Sequence, residues 1–202
     1  MLWRAEYPLV LASGSAARRG LLAAAGLPFE AVPAEIDERA VEAALPEAGP
    51  AAIALALARA KALAVGAVRP QALVIGADQV LSCTDRIFHK AATREDALRA
   101  LAALSGRTHR LTSAFALARG GEIVAAATEA ADMTMRALDA PALALYLDAA
   151  GPSVLGSVGA YQWEGLGAHL FERVEGDHST ILGLPMLKLL AALRGLNALA
   201  IR

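Results

Sequence analysis

Apolar residues along the chain fall into dense blocks set apart by glycine, proline and charge, and the blocks carry two different periods. Pro8 to Ala12, Phe29 to Pro33 and Ala72 to Leu81 are compact runs of the kind that fill buried strands. Ala16 to Ala25 predicts a helix stopped by Gly26 and Pro28, and Pro50 to Val68 predicts a long one that begins on its proline. Thr93 to Leu104 predicts a helix with Thr93 as its N-cap and Ser105-Gly106 at its end. Arg107 to Arg119 and Glu122 to Ala137 read as two long strands joined at Gly120-Gly121, a hairpin signal. Asp139 caps a helix running to Ala149, and Pro185 to Arg194 forms the last. Strands alternate with helices around one hairpin, so the expected fold is α/β, a mixed sheet with helices on both faces. A single domain spanning residues 1–202 is expected, because 202 residues support one sizeable core.

Composition narrows the function classes. Hydrophobic residues make up 56% of the chain and mean hydropathy is +0.45, which raises the question of a membrane. The most apolar stretch, Ala51 to Val68, holds Arg59 and Lys61, which a spanning helix tolerates poorly. The N-terminal MLWRAEYP lacks the apolar core of a signal peptide. A cytoplasmic protein with no membrane partner is expected. The formal net charge of -1 argues against nucleic acid as a partner, since that needs a basic surface. The single Cys83 excludes an intrachain disulfide, and the four histidines show no metal-ligand spacing.

The richest chemistry lies where the first strand runs through Ser13-Gly14-Ser15 into a helix. Free backbone N–H groups and the positive helix end converge there, as in phosphate-binding loops. Arg18 and Arg19 follow in the first turn, where they oppose the helix dipole unless an anion sits nearby. The same segment is equally read as a capped helix with solvent-facing arginines. Glu35, Asp37 and Glu38 form an acidic loop, and Lys61 lies among alanine and leucine in the long helix. In Gly76-Ala77-Asp78-Gln79 a carboxylate ends an apolar strand, the place where open sheets bind ligands.

In order along the chain stand LASGSAARRGLL (Leu11 to Leu22), DER (Asp37 to Arg39), LARAKA (Leu57 to Ala62), GADQV (Gly76 to Val80), His89-Lys90, LSGRTH (Leu104 to His109), SVGAYQWEGLG (Ser157 to Gly167) and GLP (Gly183 to Pro185). As an ordered set covering nearly the whole chain, they resemble the Maf family of nucleotide pyrophosphatases. The resemblance implies a mixed α/β fold with a deep central cleft, related to that of the inosine triphosphate pyrophosphatases. It implies hydrolysis of nucleoside triphosphates to monophosphate and pyrophosphate, a divalent metal (magnesium or manganese) and a homodimer. Matched residue by residue, the phosphate loop falls on Ser13, Ser15 and Arg18, and the metal-side glutamate on Glu38. The two lysines fall on Lys61 and Lys90, and the catalytic, metal-holding aspartate on Asp78.

The chain departs from the family pattern in places. The family loop usually reads Ser-Pro-x-Arg or Ser-Pro-Arg-Arg, whereas Ala16 and Ala17 precede Arg18 here. The usual Lys-Pro reads Lys90-Ala91. Gln79 and Glu164 stand where the dTTP- and UTP-cleaving subgroup has Thr and Gln, and look like the base-reading pair of the subgroup preferring 7-methyl-GTP. The alternatives are therefore a narrow 7-methyl-GTP pyrophosphatase, or a nucleotide-binding regulator of septum formation.

Overall fold

The computed structural model describes residues 2–201. Along the chain follow β1 (Leu9–Leu11), α1 (Ala16–Ala24), β2 (Glu30–Ala31), α2 (Glu38–Ala43), α3 (Pro50–Val68), β3 (Leu73–Cys83), β4 (Arg86–Phe88) and α4 (Arg94–Leu104). Then come β5 (Thr108–Arg119), β6 (Glu122–Met135), α5 (Ala140–Ala150), β7 (Phe171–Glu175), α6 (His178–Ile181) and α7 (Met186–Gly195). The strands make one 7-stranded sheet in the order β2-β1-β3-β5-β6-β7, with β4 paired to β3. β1 is parallel to β2 and β3, while β4 and β7 run antiparallel to β3 and β6. The expected mixed α/β sheet flanked by helices is what the chain forms.

Local signals place many of the boundaries. α3 begins at Pro50, whose missing N–H costs nothing in a first turn, and ends at Val68 as its apolar run does. Thr93 and Asp96 close a capping box at the start of α4, and Asp139 accepts from Ala142 N at the start of α5. Two expectations are corrected. The acidic loop is in part a helix, α2, capped by Asp37, whose side chain accepts from Ala40 N. Asp78 does not end its strand, for β3 continues five residues further to Cys83. The parallel pairing with β1 stops at Ile75, and an antiparallel partner, β4, takes over from Leu81. Asp78 thus lies just past the end of β1, in the middle of β3.

The chain divides into two compact units, and β3, β5 and β6 each contribute to both. The first takes in residues up to Gln79, then Ser113–Glu129, then His178 onward. Its core joins Leu9, Leu11, Ile75, Ala77, Phe115 and Leu117 from the strands to Leu22 of α1 and Leu189 and Leu193 of α7. Side chains alternate along a strand, so Gly76 and Asp78 face the other way from Ile75 and Ala77. On that opposite face α3 packs, burying Ile53, Ala54, Leu57, Ala58, Lys61, Ala62, Val65 and Gly66. This helix is long and apolar enough to cross a membrane, yet its buried positions recur in pairs every four residues, the stripe of a core helix.

The second unit holds Val80–Thr112 and Ala130–Asp177. Within it α4 and α5 pack together, and Arg94 Nη2 donates to Asp148 Oδ1 at 2.5 Å. His109, Tyr161, Trp163 and Phe171 make an aromatic cluster, with His109 Nε2 at 2.7 Å from Tyr161 Oη. His109 is 1% exposed and its Nδ1 has no partner among the described residues. Burial pushes its pKa down to about 4, against a weaker opposing pull from the Asp132 carboxylate. The unfolded chain therefore takes up a proton near pH 6.5 that the folded one refuses until about pH 4. Stability is expected to be full above pH 6.5 and to fall as the pH drops toward 4. Urea unfolding across that range checks this, and His109→Phe is expected to flatten the slope.

Candidate active site

Three segments of the first unit meet just beyond the end of β1. The loop leaving β1 is shaped by its own serines. Ser15 N donates to Ser13 Oγ at 3.2 Å, and Ser15 Oγ caps α1 by accepting from Arg18 N at 3.4 Å. Of the two arginines expected near an anion, Arg19 points to solvent and Arg18 turns inward. Arg18 Nε donates to Gly183 O at 2.8 Å, and Nη1 donates to Ala77 O at 2.9 Å and Ser13 Oγ at 3.3 Å. Its guanidinium is thereby fixed against a strand, a loop and a turn. Burial lowers its pKa from the ordinary value, while the Asp78 and Glu38 carboxylates oppose that shift. A desolvated guanidinium attracts an anion more strongly than one in water, while the two carboxylates balance part of its charge.

Across β3 the acidic side of the site is built on a lysine. Lys61 Nζ donates to Asp78 Oδ1 at 2.5 Å and to Glu38 Oε1 at 2.7 Å. The Lys61 and Asp78 side chains are each 11% exposed, whereas Glu38 is 54% exposed, so the triad opens to solvent on the Glu38 side. Gly76 makes this possible. A Cβ there would stand 2.0 Å from Ala58 O and 2.9 Å from Ala62 Cβ, so only glycine lets α3 approach close enough for Lys61 to reach Asp78. The cap at Asp37 starts α2 on Glu38 and so fixes where that carboxylate leaves the backbone.

The Gln79 side chain goes to the opposite face of β3. Its Nε2 lies 3.0 Å from each of Ser113 Oγ, Thr180 O and Ile181 O. Two of these are carbonyls, which accept only, so it is the amide nitrogen that faces them. Lys90 and Glu164 belong to the second unit, and both are exposed. Lys90 is held in an isolated antiparallel bridge with Val158. Sequence reasoning passed over Ser113 and Thr180, both fully buried, because nothing local marks a core serine or threonine as part of a site.

No group of three or more His, Cys, Asp or Glu that would hold a metal occurs among the described residues. The donor set nonetheless suits a hard divalent ion. Magnesium is commonly held by one or two carboxylates, with phosphate and water oxygens completing the shell. Glu38 and Asp78 already converge on one cation, the Lys61 ammonium.

Fold and site define a mixed α/β protein that turns an arginine inward at a helix N-terminus and sets two carboxylates and a lysine beside it. The Maf-like protein family matches residues 8–196, and the chain belongs to that family. It is 54% identical over 200 residues to a nucleoside triphosphate pyrophosphatase of Bradyrhizobium diazoefficiens, covering 99% of each chain. It is 53% identical over 193 residues to a 7-methyl-GTP pyrophosphatase of Mesorhizobium japonicum, covering 95% of this chain and 97% of the other. Among solved structures, a nucleoside-triphosphatase (dITP/XTP pyrophosphatase) of Mycobacterium abscessus aligns over 94% of this chain and 95% of that one, at 18% identity and a TM-score of 0.40.

Proposed function

We propose that the protein hydrolyses nucleoside triphosphates between the α- and β-phosphates, releasing the nucleoside monophosphate and pyrophosphate. The observation that carries the reading is the Glu38–Lys61–Asp78 triad, set on the strand whose Ala77 carbonyl also anchors Arg18. The names of the relatives point to the same reaction.

Ser13, Ser15 and the first N–H groups of α1 bind the phosphate chain together with Arg18. Asp78 uses Oδ1 to accept from Lys61, and its Oδ2 orients the attacking water and takes its proton. As water oxygen bonds to the α-phosphorus, the bridge to the β-phosphate breaks and pyrophosphate leaves with the electron pair. Lys61 has three N–H donors, two of them on carboxylates, and the third meets the charge developing on the leaving group. Lys90 neutralises the outer phosphates. Glu38 and Asp78 would hold a divalent ion, magnesium or manganese, which when bound supplies Lewis-acid polarisation of the phosphate. Glu164 accepts hydrogen bonds from donor-rich base edges, as guanine and 7-methylguanine present, and Gln79 is the second base reader that the family resemblance implies. The reading includes a homodimer, on the strength of the family resemblance, and a cytoplasmic protein with no nucleic acid or membrane as partner, on the strength of composition and charge.

A panel of standard and methylated triphosphates with magnesium and with manganese, followed by pyrophosphate release, tests the activity. No release from any of them discards it. Glu164→Gln is expected to lower kcat/KM for GTP and 7-methyl-GTP about tenfold relative to UTP and dTTP, the loss of roughly one charged hydrogen bond. An unchanged ranking removes Glu164 as the base reader.

A further inference from the structure

A buried polar network lies on the Gln79 face of β3, and apart from Gln79 its members take no part in the mechanism above; it leads to Arg18. Its hub is the carbonyl of Thr180 at the end of α6. Ser113 Oγ donates to it at 2.7 Å, Gln79 Nε2 at 3.0 Å and Gly183 N at 3.1 Å. Ser113 Oγ also accepts from Gln79 Nε2 at 3.0 Å, closing a triangle. The Thr180 hydroxyl donates to Glu129 Oε2 at 3.0 Å, and Lys188 Nζ lies 3.6 Å from Glu129 Oε1. Ser113 and Thr180 are wholly buried, so any donor or acceptor left unmatched there is costly.

The link from this hub to the site is short. The Gly183 N–H to Thr180 O bond sets the turn after α6, and Gly183 adopts φ +92, a conformation that favours glycine. The carbonyl of that same Gly183 receives Arg18 Nε at 2.8 Å. A shift in the Thr180 carbonyl moves the turn, and the turn carries the acceptor that orients the guanidinium fork.

We infer that Ser113 is a positioning residue for Arg18, acting through the Thr180 carbonyl and the Gly183 turn. The inference rests on the phosphate-gripping role given to Arg18 above and extends it to a residue that touches no substrate. Ser113 fixes the carbonyl with its hydroxyl proton and at the same time gives the Gln79 amide its acceptor. It thereby ties β5 to the turn and keeps the arginine aimed at the phosphates.

The test uses the full chain carrying Ser113→Ala, a change that fits the same space, with thermal unfolding to confirm folding. Inorganic pyrophosphate as a competitive inhibitor reads the phosphate grip without a base. Its Ki and the KM values for GTP and UTP are expected to rise together, about fivefold, as for one lost neutral hydrogen bond, with kcat moving less. Ser113→Thr keeps the hydroxyl and is expected to restore the Ki. In an Arg18→Ala background, Ser113→Ala is expected to add nothing further to the Ki, because the group it positions is gone. A lowered melting temperature with unchanged Ki and KM overturns the inference, as does a KM shift confined to one base. A wild-type protein that releases no pyrophosphate removes the function and this inference together. An active wild type with an unaltered Ser113→Ala Ki removes the inference alone.

Discussion

Asp78→Asn is expected to cut kcat by about a thousandfold while leaving the fold in place, the scale lost when a positioned base can no longer take a proton. The two side chains are the same size. The asparagine carbonyl still accepts from Lys61, whose ammonium keeps Glu38 as a charged partner. The melting temperature should therefore change little, because Lys61 is not left buried and unpaired. What disappears is the negative charge at the middle of β3 and the lone pair that receives the water's proton. Measuring kcat at rising magnesium separates two roles. A base cannot be replaced by more metal, so activity should stay low at saturation. Recovery at high magnesium reduces Asp78 to a ligand, and near-normal turnover throughout dismisses it from the chemistry.

Gly76→Ala is expected to destabilise the protein by about 3 kcal/mol, near the upper end for overpacking a well-filled core. The added methyl would sit 2.0 Å from Ala58 O, 2.5 Å from Ala62 N and 2.9 Å from Ala62 Cβ. Two of these are backbone atoms of α3 and cannot turn aside as a long side chain does, so the helix must retreat. Its retreat carries Lys61, which lies on the same buried stripe between Ala58 and Ala62, away from Asp78. Activity should fall together with stability, which distinguishes this variant from Asp78→Asn, where activity falls alone. Chemical unfolding and kcat measured side by side check it. A variant within about 0.5 kcal/mol of the wild type would show that α3 yields freely and that the close approach does not hold the triad.

Much of the architecture is written locally in the chain. Pro50 and the apolar run behind it define α3 without help from any distant residue. Thr93 with Asp96, and Asp139, start their helices through hydrogen bonds reaching three residues ahead. Gly120 and Gly121, both at positive φ, turn the long hairpin as glycine pairs do. The acidic segment misled because α2 is only six residues long and carries no buried residue of its own, so no periodicity could announce it. β4 and β7 are also too short to stand out from loop sequence, being three and five residues long.

The site divides along the same line. Ser13, Ser15 and Arg18 lie within one loop and one helical turn, so their closeness could be read from spacing, but the inward turn of Arg18 could not. Lys61 and Asp78 are 17 residues apart and meet only because a glycine lets α3 rest on β3. Arg18 finds Gly183 across 165 residues, and Ser113 reaches Thr180 across 67. Periodicity, caps and turns arise from interactions a few residues long, which any stretch of chain displays. Contacts that cross the sheet exist only after strand order and helix packing have brought the partners within 3 Å, and no local pattern encodes that distance.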